Sequence, residues 1–137
     1  MMPFLDNLTA SLPIFLAHVA VTLAMLICGV LLYIAITPYR EIAMVRAGNT
    51  AAGIAFGGAI LGLALPLAAC MARSVAVWDI VVWGVVALVV QLFAHAVVAL
   101  LLKRLPDAIA KDEQGSAWVL ASVQLAVALI NAAAIGG

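Results

Sequence analysis

Charge is scarce in this sequence. Charged residues make up 9% of the 137, where a soluble domain carries about 25%. Together with a hydrophobic share of 69%, this excludes a soluble globular domain. It also excludes a disordered chain, which needs low hydrophobicity and high net charge. Neither sign of charge is in excess: 6 basic and 6 acidic residues cancel, so no basic footprint for nucleic acid exists. Cysteine is sparse as well. Cys28 and Cys70 both fall in apolar stretches, outside any CxxC or metal-type spacing, and read as small core side chains. Met1 to Ser11 contains no Lys or Arg. The positive region that opens a secretory signal is therefore missing, and the first apolar segment is expected to stay as a span. Residue 2 is Met2 and no CaaX box closes the chain, so no lipid anchor is expected.

What the sequence has is apolar runs, continuous rather than alternating, which excludes β-barrel strands. A spanning helix needs about 20 apolar residues, so four of them absorb about 80–95 residues and leave only short loops. The expected architecture is all-α: a polytopic membrane protein forming a single four-helix transmembrane domain over residues 1–137. Span one runs from about Pro13, suited to a first turn, to Ile36, where Thr37-Pro38 closes it. Tyr39 to Ala47 is too short to cross and reads as an interfacial helical turn, with Arg40, Glu41 and Arg46 forming a solvated face. Gly48-Asn49 stops that turn and starts span two, about Thr50 to Ala72, with Asn49 as N-cap and a kink at Pro66. Span three covers about Trp78 to Leu102 and ends at Lys103-Arg104, with Pro106 just beyond. Asp107 to Gln114 is a second short charged segment, and Gly115-Ser116, with Ser116 as N-cap, opens span four to about Ile135.

The two halves of the chain, about 12–72 and 77–136, share this pattern of span, short connector, span at an offset of about 66 residues. An even number of spans per half makes the repeats parallel. Five of the six basic residues, Arg40, Arg46, Lys103, Arg104 and Lys111, fall on the two connectors, and only Arg73 on the opposite side. The positive-inside rule then puts the connectors in the cytoplasm and both termini outside, which is periplasmic in a Gram-negative cell. Trp78 suits the outer aromatic belt, and Trp118, Tyr33 and Tyr39 the inner one.

In lipid, helices associate through small residues that allow close approach. Gly53-x-x-x-Gly57 and Gly58-x-x-x-Gly62 on span two, with Ala126 on span four, are the candidate residues for helix packing or an oligomer interface. Spans two and four are the expected central pair. Polar groups inside a bilayer are costly and need partners or a cavity. Gln91 and His95 share a face of span three, and His95 and Gln124 lie at a similar depth, about 10 Å from the inner end at 1.5 Å per residue. His18 and Asn131 lie together nearer the outer face. Two readings of these residues stand: interhelical hydrogen bonds worth about 0.6 kcal/mol each, or a polar track of His18, Gln91, His95, Gln124 and Asn131. No HExxH, GxSxG, Walker loop or TVGYG filter occurs, so neither an enzyme nor a cofactor or metal site is expected.

An ordered set of residues also resembles one family. The set is Thr37-Pro38-Tyr39 with Glu41, Gly48-Asn49-Thr50-Ala51-Ala52, Gly57-Gly58-Ala59-Ile60-Leu61-Gly62, Trp83, Ala87-Leu88-Val89-Val90-Gln91 and Asn131-Ala132-Ala133. It resembles the YjfL-like bacterial inner-membrane proteins, the domain of unknown function 350 family. The resemblance implies four spans in two repeats and transfers no activity or catalytic residue. The second half departs from the first, with Gly115-Ser116 in place of Gly48-Asn49 and added charge at Asp112-Glu113. The leading expectation is a small oligomeric membrane scaffold or accessory subunit, a homo-oligomer in the lipid bilayer with or without a partner membrane protein. The alternative is a small ion or proton channel subunit.

Overall fold

The computed structural model describes residues 2–37 and 40–136. Six helices follow in order: α1 (Met2–Ile36), α2 (Glu41–Arg46), α3 (Thr50–Arg73), α4 (Val77–Leu101), α5 (Leu105–Ala110) and α6 (Gln114–Gly136). Four of them, α1, α3, α4 and α6, are long and apolar enough to cross a membrane. The two short helices lie at one end of the bundle. The α3–α4 turn, the start of α1 and the end of α6 lie at the other.

α1 starts at Met2, eleven residues before the expected start, so Pro13 sits inside the helix rather than in its first turn. A proline there removes one backbone hydrogen bond. Such prolines persist in apolar helices because the remaining ladder and nearby hydroxyls carry the strand of bonds past them. The helix is about 52 Å long at 1.5 Å per residue, against about 30 Å of hydrocarbon. Ser11, Ile14 and Phe15 already line a cleft with Met71, Ala72, Ser74 and Val75, so the first turns of α1 project past the end of α3.

Two other boundaries move. α5 includes Leu105 and carries Pro106 in its first turn, where a missing N–H costs nothing. α6 begins at Gln114, so Ser116 lies within the helix and does not cap it. Its hydroxyl has no free first-turn amide ahead of it to accept from. Asn49, by contrast, is the N-cap of α3: its Oδ1 accepts from Ala52 N at 2.9 Å. The expected role of Tyr39 in the inner belt, and the proline of Thr37-Pro38, fall outside the described residues.

The two connectors are tied to the start of α3. Asn49 Nδ2 donates to Ile109 O at 2.9 Å, and Ala51 N donates to Asp112 Oδ1 at 2.7 Å. Asp112 holds φ +59°, a left-handed conformation that aspartate tolerates better than most residues. A carboxylate at a helix N-terminus also meets the positive end of the helix dipole.

α3 is the central helix, and its contact with α6 is the most extensive in the molecule. The small residues decide how close the two come. A Cβ on Gly58 would lie 2.6 Å from Ala121 Cβ and 2.7 Å from Ala121 Cα, so only glycine fits at this crossing. On α6 the packed ridge is Ala117, Ala121 and Ala128, while Ala126 points outward and is exposed. Around Ala51, Ala55, Ile109 and Leu120 one apolar cluster fills the connector end; a second, around Tyr33, Leu63, Leu67 and Leu88, fills the middle. Cys70 is buried in the bundle, but Cys28 is exposed on α1 and is not a core residue.

Candidate functional site

Tyr33, Thr37 and Glu41 recur at four-residue steps across the end of α1. Thr37 N and Thr37 Oγ1 both donate to Tyr33 O, at 3.0 and 2.6 Å, and this pair of hydrogen bonds closes the last turn. Glu41 then opens α2 and is only 2% exposed. The expected solvated face at Glu41 is thus incorrect. On a six-residue helix Glu41 and the half-buried Met44 share the side that faces the bundle, so the carboxyl enters with the apolar face. Tyr33 Oη donates to Glu41 Oε1 at 2.6 Å, a short and buried hydrogen bond. Tyr33 itself is 2% exposed and belongs to the core, not to a lipid-facing aromatic belt. Trp78 and Trp118 do face outward.

The Tyr33 ring stands edge-on to His95, centroids 4.6 Å apart at 61°. His95 and Gln91, one turn apart on α4, are both buried, as is Gln124 on α6. Gln124 Nε2 donates to His95 Nδ1 at 2.8 Å, which puts the neutral imidazole's proton on Nε2. Gln91 Nε2 donates to the backbone oxygen of Gln124 at 2.9 Å. Gly62 makes that bond possible: a Cβ there would sit 3.0 Å from Gln91 Nε2 and 3.4 Å from Gln124 O. The packing residue and the polar site are therefore one arrangement.

The outer members of the expected track do not join it. His18 Nδ1 pairs with Ile14 O in its own helix at 2.8 Å, and Asn131 Nδ2 donates to Ala87 O at 3.2 Å. They do not pair with each other, because each finds a backbone carbonyl nearer than a side chain across the bundle. The cluster comprises Tyr33, Glu41, Gln91, His95 and Gln124, drawn from α1, α2, α4 and α6. Tyr33 and Glu41 were absent from the expected track; their four-residue spacing with Thr37 was the available signal. The phenol, carboxyl and imidazole of this cluster are groups that exchange protons. Among the described residues no three His, Cys, Asp or Glu side chains could hold a metal ion.

The remaining glycines on α3 behave differently from Gly58 and Gly62. Nothing lies within 4 Å of a Cβ built on Gly53 or Gly57, so the bundle leaves this small-residue ridge uncovered.

The family model described as Domain of Unknown Function (DUF350) matches residues 7–135. This chain belongs to the DUF350 family. One similar protein, the UPF0719 inner membrane protein YjfL of Escherichia coli (strain K12), is 34% identical over 132 residues, covering 96% of this chain and 97% of the relative. The protein of the same name from Escherichia coli O157:H7 matches with the same identity and coverage. No solved structure matches. The chain is accordingly an inner-membrane protein of a bacterial family without an assigned function.

Proposed function

We propose that this DUF350 protein is a non-enzymatic, oligomeric membrane subunit, a scaffold or accessory component built from two parallel repeats, with its connectors in the cytoplasm and its termini in the periplasm. The uncovered ridge of Gly53 and Gly57 carries this reading. Two glycines one turn apart on an apolar helix let a second helix approach closely, and dispersion contacts then hold the pair in lipid. The occupant is a helix of a second copy or of a partner membrane protein. The repeat reading draws support from the matching order of long helix, short helix, long helix in each half. The test is Gly57→Leu against wild type by light scattering of the purified protein in detergent. The reading expects the wild type to be a dimer or larger and Gly57→Leu to be smaller with helix content unchanged. A monomeric wild type, or an unaffected variant, refutes the interface.

The buried cluster favours a second reading, a proton or ion pathway. Ionisable side chains inside a membrane protein are expensive to keep and commonly serve transport. In this reading Glu41 and Tyr33 serve the connector side and His95 the interior. Liposome flux for protons, sodium and potassium, with His95→Leu as control, tests it. Flux that the substitution abolishes supports the pathway, and no flux from intact oligomers removes it.

A further inference from the structure

Tyr33, Ala59, Leu63, Gln91, Leu92, His95 and Gln124 line a cavity of about 10 Å³. That is about the space one water molecule needs. Two of its wall residues carry acceptors with no hydrogen-bond partner among the described residues, Gln91 Oε1 and Gln124 Oε1. Both side chains are more than nine-tenths buried, at 4% and 3% exposure. The Gln91 amide cannot turn round to cure this. Its nitrogen is fixed by the Gln124 backbone carbonyl, which accepts only from a donor, so its oxygen must remain the free end. Gln124 Nε2 is engaged with His95 Nδ1, which turns the amide oxygen away from the imidazole. A buried amide oxygen left unpaired is costly, and such groups in native proteins are normally met by protein or by ordered water.

We propose that this cavity is a binding site for a single water molecule, which donates its two hydrogens to Gln91 Oε1 and Gln124 Oε1. The donor set excludes a metal cation. The side-chain oxygens on the wall belong to Gln91, Gln124 and Tyr33, and the Tyr33 hydroxyl is already engaged with Glu41. A hard cation takes six or more oxygens and favours carboxylates. A water needs only two to four polar partners. The site bridges α4 and α6 beside Gly62, so the water completes the polar contact between those helices. It also adds a hydrogen-bonded link next to His95. The site rests on neither reading of the function, since a water held for packing and a water held for proton transfer occupy the same place.

Water-edited solid-state NMR of the lipid-reconstituted protein, labelled at glutamine and alanine, tests it directly. Gln91, Gln114 and Gln124 are the three glutamines, and the exposed Gln114 serves as the hydrated control. The expected result is rapid transfer from water to the side-chain amides of Gln91 and Gln124, several-fold faster than to the buried Ala87. Ala59→Val fills the cavity and is expected to slow that transfer several-fold. Ala59→Ser is the second variant, should the valine not fold. Its hydroxyl takes the water's place, and the same slowing is expected. Transfer to Gln91 and Gln124 in the wild type no faster than to Ala87 overturns the proposal, as does rapid transfer that survives in a folded Ala59 variant.

Discussion

At the scale of single residues, the bundle separates glycines that look alike in the sequence. Gly57 and Gly58 are neighbours, yet a methyl group on Gly58 collides with the Ala121 backbone while one on Gly57 meets nothing. Gly58→Ala therefore forces α3 and α6 apart and is expected to cost about 1–3 kcal/mol, the usual range for overpacking. Gly57→Ala in the monomer relieves a glycine in a helix and is expected to be neutral or stabilising by up to about 1 kcal/mol. Reversible SDS unfolding followed by circular dichroism measures both, and equal costs for the two would contradict the crossing. Tyr33→Phe takes the hydroxyl from Glu41. The carboxyl then loses a 2.6 Å bond in a buried setting, and the expected loss of stability is about 1–3 kcal/mol in the same assay. A change below about 0.5 kcal/mol, the scatter of an ordinary surface substitution, would show the bond to be dispensable.

At the scale of elements, the four long helices were legible because continuous apolar runs of this length have one use. Their ends were less legible, and each misplaced end has a local cause. Pro13 reads as a first-turn residue, but the eleven residues before it, carrying Phe4, Leu5 and Leu8, also continue the helix. Gly115-Ser116 copies the stop-and-start chemistry of Gly48-Asn49, yet the chain turns earlier, at Asp112, whose positive φ does what Gly48 does in the first half. The pairing of Gln124 with His95 followed from depth along two helices, whereas the burial of Glu41 depends on how α2 rotates, which six residues of sequence do not fix. The connectors give this scale its prediction. Asn49 caps α3 and holds the Ile109 carbonyl, and Asp112 reaches the Ala51 amide from the far side. Asn49→Ala is expected to cost about 0.5–2 kcal/mol as the loss of a cap. Combined with Asp112→Ala, the two costs are expected not to add, because both side chains serve the same first turn of α3. Additive costs in a double-mutant cycle would mean the connectors stabilise α3 independently.

At the scale of the whole molecule, charge decides which way the bundle sits. Both connectors lie at one end, and they carry Arg40, Arg46, Lys103, Arg104 and Lys111; the opposite end carries Arg73. Basic residues close to span ends resist translocation, so the connector end is expected in the cytoplasm. The same orientation puts the Tyr33–Glu41–His95 cluster in the cytoplasmic half of the bilayer and the projecting first turns of α1 in the periplasm. Single-cysteine labelling checks it. With Cys28→Ser and Cys70→Ala as background, Asp6→Cys is expected to react with a membrane-impermeant maleimide in cells whose outer membrane has been permeabilised. Lys111→Cys is expected to react only after the inner membrane is opened. The reverse pattern would turn the molecule over, placing Glu41 at the periplasmic side and removing the physical basis for a proton path that begins in the cytoplasm. Labelling of both sites from one side without lysis would mean that the two ends are not separated by the membrane at all, which an odd number of crossings between Asp6 and Lys111 forbids. Three long helices, α1, α3 and α4, lie between those positions, so opposite reactivity is the outcome that four spanning helices require.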